Sequence, residues 1–114
     1  MRVFVTGAHG FLGKYVCTEL KKQSFNDVIE LGSSRDSFSL NLAREADCIH
    51  TLGVYKPDII IHLAARVGGI GANKKYPGTF FYENMAMGLN LIEQARKHNC
   101  KKFLLISTVC AYPK

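Results

Sequence analysis

At 114 residues the chain is long enough for one compact domain, and 47% hydrophobic with 21% charged residues is a globular rather than a disordered or fibrous balance. The net charge of +6 does not point to nucleic acid, because the basic residues fall in separated pairs (Lys21-Lys22, Lys74-Lys75, Lys101-Lys102) with no aromatic-interleaved stripe. No apolar run reaches the roughly 18 residues that cross a bilayer, and glycines follow Met1-Arg2-Val3-Phe4-Val5 at once where a signal peptide would carry its cleavage region, so the expectation is a cytoplasmic protein without membrane partners.

Residues 2–6 are short, β-branched and apolar and stop at Gly7, as a buried parallel strand does. From Gly10 to about Lys22 the apolar residues Phe11, Leu12, Tyr15, Val16 and Leu20 recur on one helical face, with Lys21 and Lys22 suited to the negative end of the helix dipole. Val28-Ile29-Glu30-Leu31 reads as a second strand ending at Gly32-Ser33-Ser34, and Phe38 to Leu40 as a short third. A helix is expected from Leu42 to about Leu52, then a break at Lys56-Pro57-Asp58, then the strongest strand signal of the chain, Ile59-Ile60-Ile61-His62-Leu63. Ala64 to Pro77 is glycine-rich and loop-like. A long helix from about Thr79 to His98 places Phe81, Met85, Gly88, Ile92 and Ala95 on its core face and a second stripe, Tyr82, Ala86 and Leu89, roughly opposite; Lys102 to Ser107 closes the series as a strand. This alternation specifies an α/β fold, a doubly wound parallel sheet of Rossmann type, of which the chain holds the N-terminal portion, with its ligand crevice at the carboxyl ends of the strands. Cys17, Cys48, Cys100 and Cys110 are widely spaced without a CxxC pair, so reduced thiols and no metal site are expected.

The unusual residues gather at those strand ends. Gly7-Ala8-His9-Gly10-Phe11-Leu12-Gly13 is GxxGxxG between a strand and a helix, the setting in which glycines let backbone approach a pyrophosphate at a positive helix terminus; Gly7, His9, Gly10, Phe11, Leu12 and Gly13 are the candidate cofactor contacts. About twenty residues on, where an acidic side chain would hold the ribose of NAD, stands Ser33-Ser34-Arg35-Asp36. Arg35 suits a 2′-phosphate and hence NADP (NADPH); the other reading has Arg35 solvating a loop while Asp36 binds a 2′-hydroxyl of NAD. Asn41 suits either a hydrogen bond to adenine or an ordinary helix cap.

Taken together, the glycine motif, the stretch His62-Leu63-Ala64-Ala65-Arg66-Val67-Gly68-Gly69-Ile70-Gly71-Ala72-Asn73, Tyr76-Pro77, Tyr82-Glu83-Asn84-Met85 and Ser107-Thr108-Val109-Cys110-Ala111-Tyr112-Pro113-Lys114 resemble the GDP-L-fucose synthases, GDP-4-keto-6-deoxymannose epimerase/reductases of the extended short-chain dehydrogenase/reductase superfamily. The alanine pair and the Ser/Thr are shared across that superfamily, whereas Val-Gly-Gly-Ile-x-Ala-Asn and Cys-x-Tyr-Pro-Lys are more specific. The resemblance implies an NADP-dependent enzyme acting on a nucleotide sugar, with Leu63, Ala64 and Ala65 along the cofactor and a homodimer formed through the long helix. It implies that Thr108 hydrogen-bonds the 4-keto oxygen of the sugar and that Cys110 is the acid/base of epimerisation; read from the residues alone, Cys110 is a small buried apolar side chain. His9 stands where some relatives carry Arg. The family's TyrxxxLys pair is absent, since no tyrosine here has lysine four residues later, so residues 1–114 are expected to be the NAD(P)-binding domain cut before that pair and before the sugar-binding domain, and inactive alone. A nucleotide-sugar 4-epimerase or dehydratase, or a non-catalytic dinucleotide-binding module, is the competing reading.

Overall fold

The computed structural model describes residues 1–32, 41–65, 74–106 and 113. Along the chain run β1 (Val3–Thr6), α1 (Phe11–Lys22), β2 (Val28–Leu31), α2 (Glu45–Tyr55), β3 (Ile59–His62), α3 (Pro77–Lys97) and β4 (Lys102–Leu105). The strands form one parallel sheet in the order β2-β1-β3-β4, with Val3 beside Val28 and Ile59, and Ile59 beside Lys102. The expected strand over Phe38 to Leu40 lies outside the described residues.

β1 is buried along its whole length because both faces of the sheet are covered. Its alternating side chains divide the core in two. Val3 and Val5 join Ile61, Ala8 and Cys17 beneath α1, while Phe4 joins Ile60, Cys48, Leu52, Leu91 and Ala95 beneath α2 and α3. At the amino ends of the strands, Asp58 ties three segments together: its carboxylate accepts from the Arg2 amide (2.8 Å), its amide donates to the Arg2 carbonyl (2.9 Å), and its carbonyl accepts from the Lys101 amide (2.8 Å). The hydrogen bond from the Arg2 amide, opposed by burial and aided by Lys101 and the N-terminus, holds the Asp58 carboxyl below the usual carboxylate range.

Four expectations are corrected. α2 begins at Glu45 rather than near Leu42, because the Asn41 side-chain oxygen accepts from the Ala43 amide (3.0 Å) and the Asn41 carbonyl from the Arg44 amide (2.9 Å), closing a turn before the helix. Glu45 and Asp47 then occupy its first turn, where negative charge favours the dipole. β4 ends at Leu105, short of Ser107. On α1 the buried residues are Gly13 and Cys17, with Val16 and Leu20 packed beside them, while Phe11 is 85% exposed and stacks edge-on against Tyr15. Small residues let this helix lie close to the sheet, and its larger apolar side chains turn outward.

On α3 the core stripe is rotated by about one residue, or about 100°. Met87, Leu91, Gln94 and Ala95 face the core, whereas Phe81, Met85 and Ile92 are exposed along with Tyr82 and Leu89. Buried Gln94 hid the true stripe from a reading of apolar spacing alone. Among the described residues no helix is long and apolar enough to cross a membrane, and Cys17, Cys48 and Cys100 are free thiols. The rotated stripe makes a direct prediction: Leu91→Ala should cost about 2–5 kcal/mol in urea denaturation of this chain, while its neighbour Ile92→Ala should stay within about 0.5 kcal/mol.

Candidate functional site

The chain turns sharply at the carboxyl end of β1. Gly7 takes φ +68°, a left-handed conformation that side chains disfavour, and a β-carbon there would lie 2.8 Å from the Ala64 nitrogen and 2.9 Å from the Leu63 carbonyl carbon. Gly13, one turn into α1, is closed on its other side: a β-carbon would collide with the Gly7 carbonyl oxygen and sit 2.7 Å from Ala8. Backbone therefore touches backbone across the whole glycine turn. Gly10 precedes α1 with extended backbone and offers no side-chain cap, so the first amides of α1 are open to an anion.

Behind this turn stands a buried polar group that sequence reading missed. Thr6 and His62 are paired in register at the ends of β1 and β3, and both are buried. The Thr6 hydroxyl accepts from the Ala64 amide (3.1 Å) and shares the Leu63 amide (3.1 Å) with its own carbonyl (3.2 Å); it also lies 2.7 Å from His62 Nδ1. Burial lowers the His62 pKa. His62 opens onto a crevice of about 320 Å³ lined also by Leu12, Leu63, Ala64, Ala65, Asn84 of α3, Leu105 and Ile106. The signal available in the sequence was a polar residue ending each of two otherwise apolar strands.

The rim toward β2 is charged. The His9 ring lies over Gly32, where any β-carbon would collide with it, and His9 Nε2 is 3.9 Å from Glu30. Glu30 accepts from Lys21 Nζ at 2.9 Å, and this bond, opposed by partial burial, lowers the Glu30 pKa. Beneath α2, burial pushes the Cys48 thiol up to about 11, aided by Asp47 and Glu45, so it is an inert packing group.

The structure thus brings Gly7, His9, Gly10, Phe11, Leu12, Gly13, Leu63, Ala64 and Ala65 to one end of the sheet. Asn41 stands in the turn before α2, and Asn90 of α3 steadies that turn by donating to the Leu42 (3.2 Å) and Ala43 (3.0 Å) carbonyls. Arg35, Thr108 and Cys110 lie outside the described residues. Among the described residues no group of three or more ligating side chains could hold a metal ion.

A parallel α/β sheet with a glycine turn closed against the next strand's end defines the class, a Rossmann-like nucleotide-binding fold. Residues 3–114 match the model of the NAD dependent epimerase/dehydratase family, and the chain belongs to that family. It is 36% identical over its whole length to GDP-L-colitose synthase of Yersinia pseudotuberculosis and 34% identical over 99% of its length to GDP-L-fucose synthase 1 of Arabidopsis thaliana. The chain spans about a third of each, 35% and 34% respectively. Among solved structures it superposes on DdhaC with a TM-score of 0.88 at 31% identity, covering 99% of this chain and 31% of that one. It superposes on a GDP-L-fucose synthetase from Naegleria fowleri bound to NADP with a TM-score of 0.75 at 25% identity, covering 98% and 32%.

Proposed function

We propose that residues 1–114 form the cofactor-binding domain of an NADP-dependent nucleotide-sugar epimerase/reductase most like GDP-L-fucose synthase, with a GDP-4-keto-6-deoxysugar as substrate. The observation that carries this is the side-chain-free cradle in which Gly7 lies against Leu63 and Ala64 and Gly13 against Gly7 and Ala8, which leaves backbone amides at the helix terminus to meet a pyrophosphate. Gly7, Gly10 and Gly13 with Phe11 and Leu12 would hold the pyrophosphate, His9 and Arg35 the 2′-phosphate, Asn41 the adenine edge, and Leu63, Ala64 and Ala65 the length of the dinucleotide. When bound, NADPH supplies the hydride for reduction of the ketone. The preference for NADP over NAD rests on Arg35, whose guanidinium can pair with a phosphate that NAD lacks.

In the sugar chemistry, Thr108 donates a hydrogen bond to the 4-keto oxygen while Cys110 moves a proton at the neighbouring carbon, whose C–H bond the ketone acidifies. The exposed α3 face that includes Tyr82 and Leu89, 68% and 59% exposed, is the proposed contact with a second copy of the chain.

Isothermal calorimetry tests the cofactor assignment: NADPH should bind this chain more tightly than NADH by about 1.5–3 kcal/mol, and Arg35→Ala should erase the difference. Equal affinities would refute it. In the full-length enzyme, Cys110→Ser should suppress solvent-deuterium exchange into the keto sugar while sparing reduction of an already epimerised ketone, whereas Thr108→Ala should slow both steps by about 10²–10³-fold; undiminished exchange removes Cys110 from the chemistry. A full-length Tyr82→Asp, Leu89→Asp protein should elute as a monomer in size-exclusion chromatography, and an unchanged dimer would place the interface elsewhere.

A further inference from the structure

The Thr6 hydroxyl has one proton and two lone pairs. Two of its three hydrogen bonds come from donors that can only donate, the Leu63 and Ala64 amides, so both lone pairs are engaged. The hydroxyl proton must therefore go to His62 Nδ1, 2.7 Å away. That bond requires Nδ1 to be an acceptor, which fixes His62 as the neutral ring with its proton on Nε2. A protonated ring would instead point an N–H at an oxygen with no lone pair to offer, and one bond of the cluster would have to break. The bonds at risk hold the Leu63 and Ala64 amides in place, and the peptide group that joins these two residues lies against Gly7, its Ala64 nitrogen 2.8 Å and its Leu63 carbonyl carbon 2.9 Å from where a Gly7 side chain would begin.

Building on the reading above that this crevice takes a dinucleotide, we infer that Thr6 and His62 are positioning residues of the cofactor cradle, a clasp that is closed while His62 is neutral and released when it is protonated. Neither residue needs to touch the cofactor; Thr6 acts through the Leu63-Ala64 backbone and His62 through Thr6. Around the ring stand Thr6 from β1, Phe103 (ring centroids 6.3 Å apart) and Leu105 from β4, and Asn84 of α3 across the crevice. None of these titrates near neutrality, and no charged group among the described residues adds to the effect of burial on His62. Burial holds the folded-state pKa below the ordinary histidine value of about 6.5, so the clasp is intact above that pH and opens as pH falls through the lowered folded value.

The test uses this chain and NADP⁺, titrated calorimetrically from about pH 8 down to about pH 5, a range that spans the ordinary histidine pKa. Because the 2′-phosphate also titrates near pH 6, the readout is the difference between wild type and His62→Asn, whose side-chain oxygen can accept from Thr6 but cannot be protonated. On acidification the wild type should lose about tenfold more affinity than His62→Asn, one decade being the most that a single proton contributes per pH unit. At pH 8, His62→Leu and Thr6→Val should both weaken binding, and His62→Asn and Thr6→Ser should restore most of it. Nitrogen-15 NMR of the imidazole should place the proton on Nε2. A proton on Nδ1, or parallel pH profiles for wild type and His62→Asn, overturns the clasp while leaving the dinucleotide reading intact. A wild-type chain that binds no NADP⁺ or NAD⁺ at any pH, yet shows the Nε2 tautomer, overturns the dinucleotide reading and the clasp's part in cofactor binding with it.

Discussion

The site rests on the contact between two strand ends. β1 and β3 are neighbours through their whole length, but only at Thr6 and His62 does a side-chain bond join them, and just beyond it Gly7 comes so near Leu63 and Ala64 that no side chain fits between. A buried hydroxyl left without an acceptor costs about 1–3 kcal/mol, so these bonds strongly favour one arrangement of the turn. The glycine motif is permissive, and the threonine with its histidine makes the turn definite. Both are needed for a surface of backbone amides that is open toward a ligand and rigid behind it.

The same geometry governs how the helices pack. α1 can bring its first amides to the strand ends because Gly13 and Cys17, both small, face the sheet, and a methyl group at residue 13 would already collide with the turn. The cost is that Phe11 and Tyr15 are exposed. On the opposite face, α2 and α3 share one core around Phe4, Ile60 and Leu91, and Asn90 reaches from α3 to the turn holding Asn41. The two faces of the sheet thus have separate tasks: one seats the helix whose first amides lie at the strand ends, and the other anchors the turn that holds Asn41.

The alternation of strands and helices, the glycine turn and the extent of β2 were legible because buried parallel strands are continuous apolar runs and because strand, glycines and helix follow in close succession. The faces of α1 and α3 were not. Reading apolar spacing assigns the largest side chains to the core, whereas α1 buries glycine and cysteine, and α3 buries Gln94 while exposing Phe81 and Ile92. Thr6 and His62 went unread for a related reason: a polar residue at the end of a strand looks like the start of a loop, and only the register that sets β1 beside β3 shows them as a pair. Asn41 carried two meanings in the sequence; its side chain closes a turn with Ala43 ahead of α2, whose N-cap is Arg44 and carries no side-chain cap.

The central claim is that the dinucleotide lies along the joined ends of β1 and β3. The most direct measurement is a titration of the nitrogen-15-labelled chain with NADPH, followed by backbone amide NMR. The account predicts that the largest shifts fall on Gly7 through Gly13 and on Leu63 through Ala65, with Asp58 and Lys101 at the opposite end of the sheet unmoved. Shifts centred on the exposed face of α3 or spread over the surface lysines, with the glycine turn unaffected, would contradict it.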